Sequence, residues 1–444
     1  MTVVAPRALQ PTSAALPRLL AGLEHYQQVL GLAEHERSYG MLWLRGPSGR
    51  RRPERLIDIV EASGLTGRGG AGFPTGRKMR SVAGRGGAVV VANGAEGEPA
   101  SAKDRLLLTQ LPHLVLDGIT LAADAVGANE AYLCVHRQEH DLLDSLAVAA
   151  AERMRAGFDP VPVQITGIPG RYVSSEQSSI VQYLNGGPGK PTFSPPRPHE
   201  SGVQGRPTLV NNVETLAHVA LVARHGDRWF RTAGLPSAPG SMLVTVGGAV
   251  ERPGVYEIEL GTRLGELIML AGGPAEDLQA LLVGGYFGTW LPVEVAWPVR
   301  MTQASLRAVG GALGAGVVIA LPDSSCGLAE TARVLRYLAE QGAGQCGPCL
   351  MGLPALAGTL TDLAFHGGRG KAADAVAALI PLIEGRGACR HPDGATQLVR
   401  SAMRAFSTDA GWHDHCGPCD GVGRAPLLPV PGDEEDEEED WGWV

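Results

Sequence analysis

The sequence predicts an α/β domain, then a small strand-and-helix module, then a helical C-terminal region. Three observations predict this. Residues 53–135 alternate apolar runs of strand length with helical stretches, the pattern of a sheet covered on both faces. Near Gly240 the texture changes, with Pro236 and Pro239 punctuating a linker. From Leu328 onward Leu328, Thr331, Val334, Leu335 and Leu338 fall on one helical face.

The elements follow in order. Residues 1–52 are proline-punctuated, partly helical, and read as an N-terminal extension. Residues 53–62 read as a short helix with Leu56, Ile57, Ile59 and Val60 as its apolar positions. Residues 88–92 form a buried-strand run ending at Asn93, 113–126 a helix, and 131–135 a second strand. The α/β domain is set at residues 53–238. In the module over residues 239–325, a strand at 242–246 precedes a glycine pair, Gly254-Val255-Tyr256 and a helix at 264–271. Residues 309–321 read as a glycine turn running into a buried strand. Residues 326–410 form the helical region, broken by glycine at 342–347 and 385–387. Residues 411–444 read as an irregular, disordered tail.

Length and charge narrow the function. A chain of 444 residues suits two to four domains. Asp433 to Asp440 are eight consecutive acids, which account for the whole net charge of −8. The remainder is neutral, so no nucleic-acid partner is expected. No uninterrupted apolar stretch reaches the ~18 residues of a membrane helix. No basic flank precedes an apolar core at the N-terminus, so a cytoplasmic protein with reduced thiols is expected.

Five glycines within residues 67–76 expose backbone amides, and Arg68, Arg77 and Lys78 add positive charge, as an anionic or flat ligand requires. A structural loop is the competing reading. Asn93-Gly94-Ala95-Glu96-Gly97-Glu98 follows a buried strand, where α/β sheets bind ligands, although an ordinary polar turn looks the same. Asn211-Asn212 could read a polar ligand edge or cap a helix.

Of seven cysteines, Cys134 stands alone in an apolar strand and reads as an inert buried thiol. Cys346-Gly347-Pro348-Cys349 is a CxxC suited to zinc, thiol–disulfide or iron–sulfur chemistry, and Cys389 could close its site. Cys416-Gly417-Pro418-Cys419 repeats the tetrapeptide after His413 and His415. Zinc is plausible there, against a metal-free tail.

Together these segments resemble one family, the NADH-binding, FMN-carrying flavoprotein subunit of respiratory complex I and its hydrogenase and formate dehydrogenase relatives. The likeness spans roughly residues 56–406. It rests on GLTGRGGAGFPTGRK at 64–78, NGAEGEP at 93–99 followed by KDR, TLVNNVETLAHV at 208–219, and CGPC ahead of a late cysteine. The resemblance implies a β-grasp (soluble-ligand-binding, SLBB-like) module and a helical iron–sulfur bundle after the α/β flavin domain. It implies that Gly67, Arg68, Gly69, Gly70, Gly72 and Lys78 surround FMN. Asn93, Tyr172, Glu176, Asn211, Asn212 and Thr215 would line the same pocket, with Glu96 and Glu98 as its catalytic carboxylates. Cys346, Cys349 and Cys389 would hold a [4Fe–4S] or, with one iron lost, a [3Fe–4S] cluster.

The departures are specific. The first cysteine of the family's CxxCxxC is Ala343, and the aspartate of its NADEGEP is Ala95. The acidic pair after the tyrosine motif is Glu176-Gln177. Ser194 and Arg197 stand where a lysine and a phenylalanine hold adenine, so NADH and NADPH are both open. The implied function is oxidation of a reduced pyridine nucleotide through FMN, with single electrons leaving by the cluster. An iron–sulfur acceptor protein or membrane reductase subunit would receive them, at the inner face of the membrane and without a span of its own. The alternatives are an accessory subunit that keeps the fold without turnover, and a metal- or small-ligand-binding protein. The fourth cluster ligand could be absent, or could come from Cys416, Cys419 or Cys326.

Overall fold

The structure, a computed structural model, describes residues 15–24, 29–41 and 53–431. Its first sheet has four parallel strands in the order β3-β2-β1-β4: β1 (Ala88–Asn93), β2 (Ala128–His136), β3 (Val163–Ile168) and β4 (Thr208–Asn212). Strand β1 is central, so both faces of its AVVVAN run are covered. Val89 and Val91 pack with Cys134, Ile168 and Ile180 on one side. Val90 and Ala92 face the other side, against the core of the helices.

Those helices are α1 (Leu32–Tyr39), α2 (Pro53–Ser63), α3 (Thr75–Val82), α4 (Lys103–Gln110), α5 (Pro112–Val126), α6 (His140–Arg155) and, after α7 (Gln177–Leu184) on the opposite face, α8 (Val213–Phe230). Helix α5 is almost wholly buried, which explains why its sequence is apolar around most of its circumference. Behind it Arg153 meets Asp117 at 2.7 Å and Asp159 at 2.8 Å, a paired charge in the interior.

A two-residue hairpin, β5 (Gly234–Leu235) and β6 (Ala238–Pro239), leads into a five-stranded mixed sheet. Its strands are β7 (Ser241–Gly248), β8 (Gly254–Glu259), β9 (Leu278–Val283), β10 (Thr289–Pro292) and β11 (Val317–Pro322), ordered β10-β9-β11-β7-β8. Helices α9 (Leu264–Leu270), α10 (Val293–Ala296) and α11 (Gln303–Ala308) belong to this module. Strands β9 and β11 are apolar on both faces for a reason. Leu281, Val283, Val318 and Ala320 face the module's own core, while Leu282, Val317, Ile319 and Leu321 join the core of the helical region.

That region contains α12 (Gly327–Glu340), α13 (Leu353–Thr361), α14 (Ala372–Ile383), α15 (His391–Ala405) and α16 (Ser407–Cys416). π-helical turns at Pro348–Gly352 and Asp362–His366 extend α13 into one continuous helix. Among the described residues, Pro348–His366 is the helix with the length and apolarity of a membrane span. The sequence reading missed it because the apolar residues are spaced rather than continuous. The helix is partly buried, and Leu353, Leu356, Leu360 and Leu363 sit in the bundle core.

The tail departs from expectation. Residues 411–416 complete α16, and residues 417–431 lie across α12 instead of leaving the body. The amides of Leu427 and Leu428 donate to Glu330 at 3.0 and 2.9 Å, the Tyr286 hydroxyl donates to the Pro429 carbonyl, and Leu428 is buried. Polar anchors in α12 therefore order a segment whose glycine and proline content suggested disorder. The acidic run lies outside the described residues.

Candidate functional site

The carboxyl ends of the parallel strands gather most of the expected flavin residues. Asn93 and Asn212 are register partners at the ends of β1 and β4. The glycine loop lies against them: a Cβ on Gly69 would stand 3.0 Å from that of Asn212, and the Arg68 amide donates to Thr215 Oγ1 at 2.8 Å. Gly70, at φ +107°, bridges to Gly314 of the second module, a backbone conformation that a side chain would strain. Asn93 Nδ2 donates to the Ser175 carbonyl at 2.8 Å, next to Glu176. Lys78 reaches Gln177 at 3.4 Å.

Two groups at this edge lack strong protein partners. Asn211 is 6% exposed, and its Nδ2 is buried without a hydrogen-bond acceptor. Burial pushes the Lys78 ammonium down to about 8, with Glu176 pulling it upward. A buried amide donor and an under-compensated cation fit a polar, anionic ligand such as the flavin and phosphate of FMN.

Other expected residues have structural work. The Arg68 guanidinium turns away from the loop to the Ser241 carbonyl at 3.0 Å and to Thr66, near Glu214. It ties the first domain to the second, so its charge is not directed at a phosphate. Glu96 accepts from the amides of Asp104 and Arg105, both at 3.1 Å, and so caps the start of α4. Glu176 caps α7 through the amides of Ser178 and Ser179. Asn212 caps α8 and also donates to Asp104 at 2.6 Å. Arg197 is exposed and its amide donates to Glu200; it is not brought against the other residues of the set.

Sequence reasoning missed a buried charge network below the pocket floor. Lys103 meets Asp104 at 2.6 Å and Glu214 at 3.0 Å. The KDR and NNVET motifs carried the signal, but only the fold shows that they pair.

Glu98 is the carboxylate at the junction of all three regions. It accepts from the Tyr286 amide at 2.7 Å and the Tyr172 hydroxyl at 3.1 Å. Gly285 leaves room for its approach, since a Cβ there would strike the carboxylate. Burial pushes Glu98 up to about 7, against the pull of these hydrogen bonds. Glu96 is also raised to about 7 by burial, with Asp104 adding to the rise.

The Tyr172 ring lies 4.8 Å from Phe287 and 5.8 Å from His391, centroid to centroid. His391 is two residues beyond Cys389, which couples electrostatically to Cys346. Cys349 Sγ lies 3.4 Å from a Cβ built on Gly342, just past α12, and its thiol is pushed up to about 12 by burial, with the nearby Cys346 and Cys389 adding to the rise. The three thiols therefore converge at the end of α12. Ala343 beside them is 4% exposed and supplies no ligand atom. Three thiolates fit an iron–sulfur cluster with one iron lacking a cysteine.

Comparison with known proteins gives the same three parts in the same order. Residues 60–221 match the profile of the Nuo51 FMN-binding domain, 243–285 that of the SLBB domain, and 329–413 that of the NADH-ubiquinone oxidoreductase-F iron-sulfur binding region. The chain is 31% identical to the NADH-quinone oxidoreductase F subunit 2 of Rhizobium meliloti (strain 1021) over 392 residues, covering 85% of this chain and 93% of that one. It is 32% identical over 397 residues to the NADH-quinone oxidoreductase F subunit of Mycobacterium tuberculosis (strain ATCC 25618 / H37Rv), covering 86% and 89%. The chain belongs to the family of NADH-quinone oxidoreductase F subunits.

A solved NAD+-reducing [NiFe]-hydrogenase in the H2-reduced state matches with a TM-score of 0.74 and 31% identity. The match covers 81% of this chain and 62% of the hydrogenase chain. This member of the family thus combines an FMN-binding domain, an SLBB domain and a 4Fe–4S-binding region, the cofactor set that the motifs implied.

Proposed function

We propose that the chain is an electron-input flavoprotein that oxidises NAD(P)H and delivers single electrons to an iron–sulfur acceptor protein or membrane reductase subunit. It would work at the cytoplasmic face of the membrane, as a peripheral subunit. The observation that carries this reading is the shared wall. Tyr172 hydrogen-bonds Glu98 on the strand-end side, while its ring packs on His391, two residues from Cys389.

FMN at the strand ends supplies hydride acceptance from reduced nicotinamide and release of electrons one at a time. The residues do the positioning. The glycine loop, Gly67 to Gly72, would give close backbone approach, and Lys78 would meet the phosphate. Asn211 Nδ2, buried without a protein partner, would donate to the flavin's polar edge, with Asn93, Tyr172 and Thr215 as walls. Glu98 holds a proton near neutral pH beside the ligand. Arg197 at the exposed rim meets the adenosine end and widens acceptance to NADPH. Cys346, Cys349 and Cys389 would hold the cluster, and Ala343 supplies no fourth thiolate. That Cys326 and Cys419 lie at the opposite end of α12 supports an open position over a thiolate from the tail.

Anaerobic mixing with NADH and with NADPH tests the reading. The flavin absorbance should bleach with at least one nucleotide, and acid-released cofactor should chromatograph as FMN. Bleaching by neither would end the dehydrogenase reading; FAD, or no flavin after reconstitution, would end the FMN assignment.

A further inference from the structure

We propose a second metal site, for a zinc-class divalent ion, formed by Cys326, His413 and Cys419. Their ligand atoms all lie within 4.8 Å of one another. Cys326 and His413 are buried and Cys419 is half-buried. The three come from separate places: Cys326 is the N-cap of α12, His413 sits in the last turn of α16, and Cys419 lies on the strap that follows.

The histidine is prepared as a ligand. Its Nδ1 faces the Leu363 carbonyl at 3.3 Å, a bond that places the proton on Nδ1. Nε2 then presents its lone pair to the thiols, 3.8 Å from Cys326 Sγ. The Cys419 amide also donates to Nε2 at 3.1 Å, a contact the ion would replace. Cys326 Sγ accepts from the Ala329 amide at 3.4 Å, which fixes the sulfur at the start of α12.

The chemistry selects the ion. Two thiolates with one imidazole are the donors of tetrahedral zinc sites. The fourth position falls to water or to Cys416, the exposed first thiol of the same Cys-Gly-Pro-Cys turn. Cys326 caps the start of a 14-residue helix, while Cys349 Sγ lies 3.4 Å from a Cβ built on Gly342, past the helix end. The two thiol groups are therefore about 20 Å apart, and this ion is not part of the cluster. Its effect is mechanical. It pins the strap of residues 417–431 over α12, where that strap meets Glu330 and Tyr286, whose amide holds Glu98.

Elemental analysis of the full-length protein, purified without chelator from zinc-supplemented medium, tests this. Wild type should hold about one zinc per chain in addition to iron. Cys326→Ser/Cys419→Ser should lose most of the zinc and keep its iron and FMN, whereas Cys346→Ser should lose iron and keep zinc. Zinc-edge X-ray absorption should show sulfur neighbours at about 2.3 Å and a nitrogen at about 2.0–2.1 Å. If the double variant fails to fold, the absorption spectrum of wild type and the zinc content of His413→Gln decide instead. Loss of zinc in Cys416→Ser assigns the fourth ligand to that thiol, and retention assigns it to water; both support the site. Undiminished zinc in the double variant, zinc without sulfur neighbours, or a Cys326–Cys419 disulfide in unreduced, alkylated wild type would overturn it.

Discussion

The same tetrapeptide, Cys-Gly-Pro-Cys, stands near both ends of α12 in different chemical company. Cys346 and Cys349 sit where a π-helical turn starts a bundle helix, and the third donor brought to them is Cys389. Cys419 sits beyond a helix end, and the fold brings it His413 and Cys326. One neighbourhood gathers three thiols, the other two thiols and an imidazole. All-thiolate sites suit iron–sulfur clusters, and mixed thiolate–imidazole sites suit zinc. The spacing of a CxxC thus states that two donors can share a metal. The metal's identity is set by whatever distant element the fold places third.

Removing ligands from one end should leave the other intact, and this is the largest effect expected. Cys346→Ser/Cys349→Ser should lose nearly all cluster iron while flavin remains reducible by the nucleotide. Even outer-sphere changes cost metal sites about 10–100-fold in affinity or activity, so electron delivery to a one-electron acceptor should fall more than about 100-fold. Stopped-flow reduction and steady-state acceptor assays separate the two steps. Equal loss of flavin reduction would mean that the thiols and the pocket are not separable units.

The strand-end pocket comes next. Lys78→Met removes a charge-assisted contact of about 1.5–3 kcal/mol, so FMN should bind roughly 10–100-fold more weakly in fluorescence titration. Asn211→Ala should weaken binding less, by about 10-fold, because it removes one neutral donor. Arg68→Met should instead lower the melting temperature, since that guanidinium binds Ser241 and Thr66. Loss of FMN affinity without loss of stability in Arg68→Met would reverse the roles assigned here.

A subtler change sharpens the contrast at the cluster end. Ala343→Cys restores a thiol where three already converge. Air-exposed wild type should give a [3Fe–4S] electron paramagnetic resonance signal, and the variant should retain four irons several-fold longer, by analogy with the fully cysteine-ligated cluster. An oxygen-stable four-iron cluster in wild type would mean that a non-cysteine ligand already fills the position.

Much of this was legible locally. The glycine loop, the strand ending at Asn93 and the amphipathic pattern from Leu328 depend on neighbours within a few residues. The ambiguity between cap and ligand was also legible at Asn212, and the structure makes Asn212, Glu176 and Glu96 caps. What the sequence hid was long-range company. Arg68 finds Ser241 173 residues away, Glu98 finds Tyr286 188 residues away, and Cys326 finds His413 87 residues away. Composition misled at the tail, because glycine and proline argue for disorder only where nothing anchors the chain. Glu330 accepts two tail amides and supplies that anchor.

The smallest expected effect concerns Glu98, which joins Tyr172 of the first domain to Tyr286 of the second module. Its carboxyl is raised to about 7 by burial, whereas an ordinary glutamate titrates near 4.5. The folded protein therefore binds this proton more tightly than the unfolded chain does. The associated stabilisation is complete below about pH 4.5 and is lost as pH rises through about 7. Its ceiling is about 3 kcal/mol, from roughly 1.4 kcal/mol per pH unit. Buried His113, His136 and His391, each lowered to about 4 by burial, act with the opposite sign over much of this window. The total slope is therefore uninformative, and the measurement must be a difference. Glu98→Gln keeps the shape, cannot ionise, and leaves the histidines unchanged. Its melting temperature relative to wild type should become more favourable between about pH 5 and pH 7 and level off above, by a few degrees in a chain of this size. A pH-independent difference would mean that Glu98 is ionised throughout, and that Tyr286 and Tyr172 compensate its burial fully.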